Sequence, residues 1–293
     1  MCGTKASSDP EMTGRPTPPF DTPPGNAERA LQAAVLALRA QRPDEAERIA
    51  ADVLKFAPHH PVAAGILGRA MMLQNRIAEA IPVLEQAARR GEDSAVETQF
   101  ADALVATGRR DEALAQLRLT MARRPAFLPC FIMYARYTAE AGGYADAIAA
   151  LQQGLAIFPG AWELQNELAL QHIKINDRAA ALAVVSRALA LMPQHPVLLM
   201  TLGQVLYLDG DYAAAADVYR RVLAANPGDA AARKNLGSCR LEMGERAAGE
   251  TDLQAAVRAA PELTGHAIAA LALASHGRFF LRFGAAMDFV RGA

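Results

Sequence analysis

The sequence predicts an all-α fold, a solenoid of stacked antiparallel helix pairs, and three observations carry that expectation. Prolines recur at a fixed interval: Pro125, Pro159, Pro193, Pro227 and Pro261 are each 34 residues apart, and Pro58 precedes Pro125 by 67, one interval of 33 and one of 34. Small residues keep the same phase, with Ala46, Ala113, Ala147, Ala181, Ala215 and Gly249 twelve residues before those prolines and Ala80 marking the interval whose proline is missing. Seventeen residues before the prolines come Gln41, Gly108, Gly142, Asn176, Gly210 and Gly244. A period in this range means that each repeat is one supersecondary unit, unable to bury its apolar face alone, so that stacked neighbours complete the core.

The first helix of each unit is marked by a large residue beside a small one. Leu67-Gly68, Phe100-Ala101, Tyr134-Ala135, Leu168-Ala169, Leu202-Gly203 and Leu236-Gly237 place a knob next to a hole, and only Ala33-Ala34 lacks the knob. Close packing of two helices needs that complementarity. Gly and Asn at the seventeen-residue position tolerate the left-handed conformation that ends a helix, so five of the six positions read as stops. The second helix follows, as in Tyr212, Ala215, Val218, Tyr219, Val222 and Leu223, whose offsets of three and four put one apolar stripe on one face. Proline then closes the unit, because it cannot continue a helix and biases the preceding residue toward extended backbone.

A helix-turn-helix unit of this length, with a small-residue pair, a turn glycine and a closing proline, resembles the tetratricopeptide repeat. The fullest match is Leu202-Gly203, Leu206, Gly210-Asp211-Tyr212, Ala215, Tyr219 and Pro227. The resemblance implies a right-handed superhelix of seven units, 27–60, 61–93, 94–127, 128–161, 162–195, 196–229 and 230–263, with the tryptophan usual on the first helix replaced by Phe131 in one unit and Trp162 lying at a unit boundary.

Residues 1–26 hold Pro10, Pro16, Pro18, Pro19, Pro23 and Pro24 without helical periodicity, and are expected to be a disordered leader. Residues 264–293 are expected to form a capping helix pair, since the last repeat of a solenoid otherwise leaves its stacking face in water. Thr264 to His276 makes one helix and Arg278 to Arg291 a shorter one. On the latter Phe279, Phe280, Phe283, Met287 and Val290 share a face, and Arg278, Arg282 and Arg291 point elsewhere. If Phe279, Phe280 and Phe283 stay exposed, they form a docking patch for a partner or for a homodimer through this last helix.

With 30 basic and 31 acidic residues the net charge is −1, which argues against nucleic acid as a partner. Cys2, Cys130 and Cys239 are too scattered for a disulfide framework or a zinc site, and Cys130 and Cys239 fall on first helices as small buried hydrophobes. The longest apolar run, 267–274, is far short of the roughly 20 residues that span a bilayer. A cytoplasmic chain with neither membrane nor cofactor among its partners follows as the expectation.

No catalytic constellation emerges. His59-His60 and His195 fall in equivalent inter-unit turns without Cys or acidic ligands nearby, so no metal site is expected. His172 has a core-facing phase, and Glu163 and Glu167 suit the positive end of a helix dipole. Phosphate loops and nucleophile elbows are missing. A non-catalytic scaffold is expected, gripping a peptide or protein partner along the wall made by the first helices. The resemblance maps that wall onto Arg69, Met72, Asp102, Ile132, Arg136, Asn166, Lys174, Met200, Gln204, Tyr207, Lys234 and Ser238. Lys234 followed by Ser238 departs from the Lys and Asn with which the best-known subclass of that family grips a C-terminal carboxylate, so an internal peptide or folded partner is preferred. The alternatives are an accessory subunit acting in trans with a transferase that modifies sugars or proteins, and a self-assembling structural factor.

Overall fold

The computed structural model describes residues 24–90, 93–280 and 282–292; Cys2 and all of the leader before Pro24 lie outside them. Sixteen α-helices and no strand occur among the described residues. They are α1 (Pro24–Arg39), α2 (Pro43–Phe56), α3 (Pro61–Leu73), α4 (Ile77–Ala88), α5 (Ser94–Ala106), α6 (Arg110–Met121), α7 (Leu128–Glu140) and α8 (Tyr144–Ile157). The series continues with α9 (Trp162–Lys174), α10 (Arg178–Leu191), α11 (Pro196–Leu208), α12 (Tyr212–Ala225), α13 (Ala230–Glu242), α14 (Arg246–Ala259), α15 (Thr264–Leu273) and α16 (Phe283–Arg291). Helix α1 opens three residues before residue 27, the expected start of the first unit. Pro24 and Gly25 can enter it because a first turn has no intrahelical use for its backbone N–H groups.

Seven turns between helices carry one residue of positive φ: Gln41, Asn75, Gly108, Gly142, Asn176, Gly210 and Gly244. At Gly210, φ is +87°, a conformation in which a side chain would be strained, and the chain reverses there into α12. Gln41 and Asn75 adopt the same left-handed geometry at φ 58° and 62°. Local caps start two of the helices that follow, Asp177 and Asp211 accepting from the backbone N–H three residues on, and Asp229 does the same for α13 and the His60 ring for α3.

Ala46, Ala80, Ala113, Ala147, Ala181 and Ala215 have no solvent exposure at all. A Cβ on Gly203 would lie 2.6 Å from the Tyr219 ring, and one on Gly249 would lie 2.9 Å from the Gly237 carbonyl oxygen. These contacts bring α11 against α12 and α13 against α14 at distances only small residues permit.

Contacts divide the chain into two units, one ending at Gln99 and one starting at Phe100, the division falling inside α5. In the first, Leu31, Ala34, Ala46, Val53, Ile66, Leu67 and Ala70 build the core, and Arg76 ties Glu47 on α2 to Glu79 on α4 with ion pairs of 2.8 and 2.7 Å. In the second, first helices pack on one another, α7 on α9 and α9 on α11, in addition to pairing with their own second helices. The second helices α8, α10, α12 and α14 show no comparable packing on one another, so the first helices α7, α9 and α11 lie on the inner side of this unit.

The C-terminal pair is shorter than expected at both helices, α15 ending at Leu273 and not His276. Helix α16 starts at Phe283, not Arg278, and Phe279 and Phe280 stand in the segment before it. That segment is pinned by polar bonds: Arg278 donates to both carboxylate oxygens of Glu250 on α14 and lies 4.4 Å over the Phe289 ring. Its backbone N–H also reaches the Leu271 carbonyl at 2.7 Å. A helix including Arg278 would forfeit these bonds. Burial tends to raise the Glu250 carboxyl, but hydrogen bonds from Arg278 and Arg246 overcome that and hold it below the usual carboxylate range. Phe280 packs against Phe289, whereas Phe279 and Phe283 stay 79% and 71% exposed, so the three aromatics do not form one face.

Candidate partner-binding cleft

In the unit that starts at Phe100, the inner sides of α7, α9 and α11 enclose an open cleft of about 430 Å³. Leu128, Pro129, Ile132 and Met133 line it from α7, Trp162 from the first turn of α9, and Val197 from the first turn of α11. Polar character enters through Arg136, Glu163 and Asn166. Trp162 is held by His195, whose ring centroid lies 4.0 Å from that of the indole. The result is a mostly apolar recess with a few placed polar groups, a composition suited to holding another molecule.

The wall around the cleft is joined by hydrogen bonds that run from one first helix to the next. Tyr137 on α7 donates to Asp102 on α5, Thr201 on α11 donates to Asn166 on α9 at 2.7 Å, and Tyr207 on α11 donates to Glu242 on α13 at 3.4 Å. Each joins residues 35 apart, one repeat plus one. Arg136 on α7 meets Glu167 on α9 at 2.8 Å, and the amide of Gln171 donates to the other Glu167 oxygen at 2.9 Å. Burial, with Asp102 and Glu242 alongside, pushes the Tyr137 hydroxyl well above its ordinary range and that of Tyr207 up to about 12, so both remain donors.

Independent comparisons fit this architecture. Two family models described as tetratricopeptide repeat match the chain, one at residues 133–196 and 166–230 and the other at 37–98 and 206–274. The chain belongs to the tetratricopeptide repeat family. Among solved structures, a tetratricopeptide repeat protein from Parabacteroides merdae superposes with a TM-score of 0.62 at 13% identity, covering 84% of this chain and 98% of that one. The APC/C hetero-tetramer Cut9–Hcn1 gives 0.60 at 18% identity, over 78% of this chain and 45% of that one. A thermophilic protein of the family from Thermus thermophilus gives 0.52 at 22% identity, over 62% and 99%. At these identities the likeness concerns the fold. No curated protein sequence matches the chain.

The residues of the wall inferred from the tetratricopeptide pattern do not share one fate. Ile132, Arg136 and Asn166 line the cleft itself. Asp102 and Tyr207 are engaged in the inter-helix bonds, and Ser238 donates back to the Lys234 carbonyl at 3.2 Å instead of presenting its hydroxyl. Lys174 and Gln204 are exposed on α9 and α11, while Met200 is half-buried against the Ala215–Tyr219 cluster. Lys234 is half-buried, and burial pushes its ammonium below the ordinary lysine range. Arg69 and Met72 belong to α3 in the first unit.

Six cleft residues escaped the predicted wall: Met133, Glu163 and four apolar first-turn residues, Leu128, Pro129, Trp162 and Val197. The signal of those four was apolar character in the first turn of first helices, positions where the core phase asks for none. Glu167, expected only to suit the positive end of the helix dipole, is buried and paired with Arg136. His172 is largely buried, its side chain 13% exposed, with Nδ1 3.4 Å from Asp177.

Among the described residues no group of three His, Cys, Asp or Glu could hold a metal ion, and no helix is long and apolar enough to cross a membrane. Cys130 and Cys239 are buried and form no disulfide, and burial pushes the Cys239 thiol up to about 12.

Proposed function

We propose that the chain is a cytoplasmic, non-catalytic scaffold that holds a peptide or protein partner in the cleft formed by α7, α9 and α11. Tetratricopeptide repeats are in general protein-interaction scaffolds, and the observation that carries the assignment to this cleft is its combination of an apolar floor with a wall already joined by hydrogen bonds. A pre-joined wall has little ordering entropy left to lose on binding, which favours affinity for a given contact area. Aromatic and aliphatic anchors in a recess are the usual centre of such an interface.

One observation favours a second reading, self-association through the C-terminal end: Leu273, Phe279 and Phe283 are 84%, 79% and 71% exposed. Hydroxyl-radical footprinting separates the two. With a partner bound in the cleft, oxidation of Trp162 and Met133 is expected to fall several-fold while Phe279 and Phe283 react as in the free chain. Protection confined to Phe279 and Phe283, rising with chain concentration, would move the functional surface to the C-terminal end.

A further inference from the structure

Resting on the assignment of the cleft as the partner site, we infer that its ligand is a basic segment, an arginine or lysine flanked by a large apolar residue. The first support is charge. Arg136 is 58% exposed along its side chain, but its guanidinium is bound to Glu167, which is itself buried, so the only cation lining the cleft is neutralised from behind. Glu163 lines the same cleft, and among the described residues it has no ion partner. The half-charge at the N-terminus of α9 offsets only part of the full charge on this carboxylate. Lys174 lies 11 residues along α9, about 16 Å away at the helical rise, beyond the screening length at physiological salt. Arg124, four residues before Leu128, is turned onto the carbonyls of Met121, Ala122 and Arg123.

The second support is the ring beside that carboxylate. An indole face is the strongest aromatic partner for a cation, and Trp162 borders the cleft immediately next to Glu163. A guanidinium that stacks on Trp162 and pairs with Glu163 leaves the recess between Leu128, Ile132, Met133 and Val197 for the apolar neighbour. An acidic segment would instead place its charge against Glu163 with no free cation in the cleft to receive it.

Trp162 is the only tryptophan in the chain, so its emission reports on this cleft alone. The test is a titration of the full chain with two tryptophan-free peptides of a Gly-Ser framework, one carrying Phe-Arg-Leu at its centre and the other Phe-Glu-Leu. The arginine peptide is expected to change Trp162 emission saturably and to bind about tenfold tighter than the glutamate peptide, with Glu163→Gln removing most of that difference and Glu163→Lys reversing it. Circular dichroism of both variants should match the parent, which shows that the change lies in recognition and not in folding. Equal or tighter binding of the glutamate peptide, the same preference after Glu163→Lys, or no emission change with either peptide would each overturn the inference. Binding without regard to charge would leave the cleft assignment standing, whereas a footprint without protection at Trp162 would overturn both.

Discussion

Replacing Gly249 by leucine is expected to destabilise the unit that starts at Phe100 by about 3 kcal/mol, the upper end of overpacking costs, because the new side chain meets backbone. A Cβ there would lie 2.9 Å from the Gly237 carbonyl oxygen and 2.9 Å from Leu241 Cγ. Flexible side chains relieve such contacts by changing rotamer, but a carbonyl inside a helix moves only with the helix. Helices α13 and α14 would have to separate, and in a repeat array the loss of one interface weakens its neighbours. Gly265→Ala is the control, since a Cβ there meets nothing within 4 Å. Urea titration followed by circular dichroism should show a large drop in midpoint for Gly249→Leu and almost none for Gly265→Ala. Equal midpoints would mean that these helices do not meet at the twelve-residue position.

Arg136→Ala is expected to cost about 2 kcal/mol, less than the full loss of a buried ion pair because the arginine is half in water. The reason is the partner left behind. Glu167 is 3% exposed and retains only the Gln171 amide once the guanidinium is gone. An unpaired carboxylate at that depth is the expensive species, so the double variant Arg136→Ala/Glu167→Gln should recover most of the lost stability. Thermal midpoints of the wild-type chain, both single variants and the double variant close the cycle. If Arg136→Ala melts with the parent, Glu167 is solvated and the wall is looser than described. The same geometry bears on any attempt to map binding by reversing the charge of Arg136: loss of a partner would then report on folding before it reported on recognition.

The helix pairs were legible because the features that build them are local. Gly108, Gly142, Asn176, Gly210 and Gly244 end their helices through backbone conformations that residue type alone favours, and Ala147 or Ala215 is small because a neighbouring helix excludes anything larger. Gln41 and Asn75 reach the same left-handed geometry, Gln41 with no such preference, because the next helix pulls the chain around. At the C-terminal end Phe279 and Phe280 kept helical spacing in the sequence, yet the Arg278–Glu250 bonds hold that segment out of α16.

The cleft was only half legible for a related reason. The repeat pattern placed Ile132, Arg136 and Asn166 on the right wall, since each lies on the inner face of a first helix. It did not show that Arg136 is neutralised, because Glu167 stands 31 residues away and the pairing depends on how α7 is rotated against α9. Nor did it show the inter-helix bonds of Asp102 with Tyr137 and Asn166 with Thr201, whose partners change identity from one repeat to the next even though the offset stays at 35. Trp162 was conspicuous as a departure from the family pattern, and that departure places an indole at the cleft.

Photo-crosslinking from two positions tests the scaffold assignment most directly. A benzophenone amino acid at Val197, on the rim of the cleft, and one at Arg187, exposed on the second helix α10, are compared in living cells carrying the full chain. A discrete adduct with another protein from Val197, absent from Arg187 and abolished by Trp162→Ala, is the result expected of a scaffold that binds in this cleft. Adducts of equal yield from both positions, or one from Arg187 alone, would contradict it.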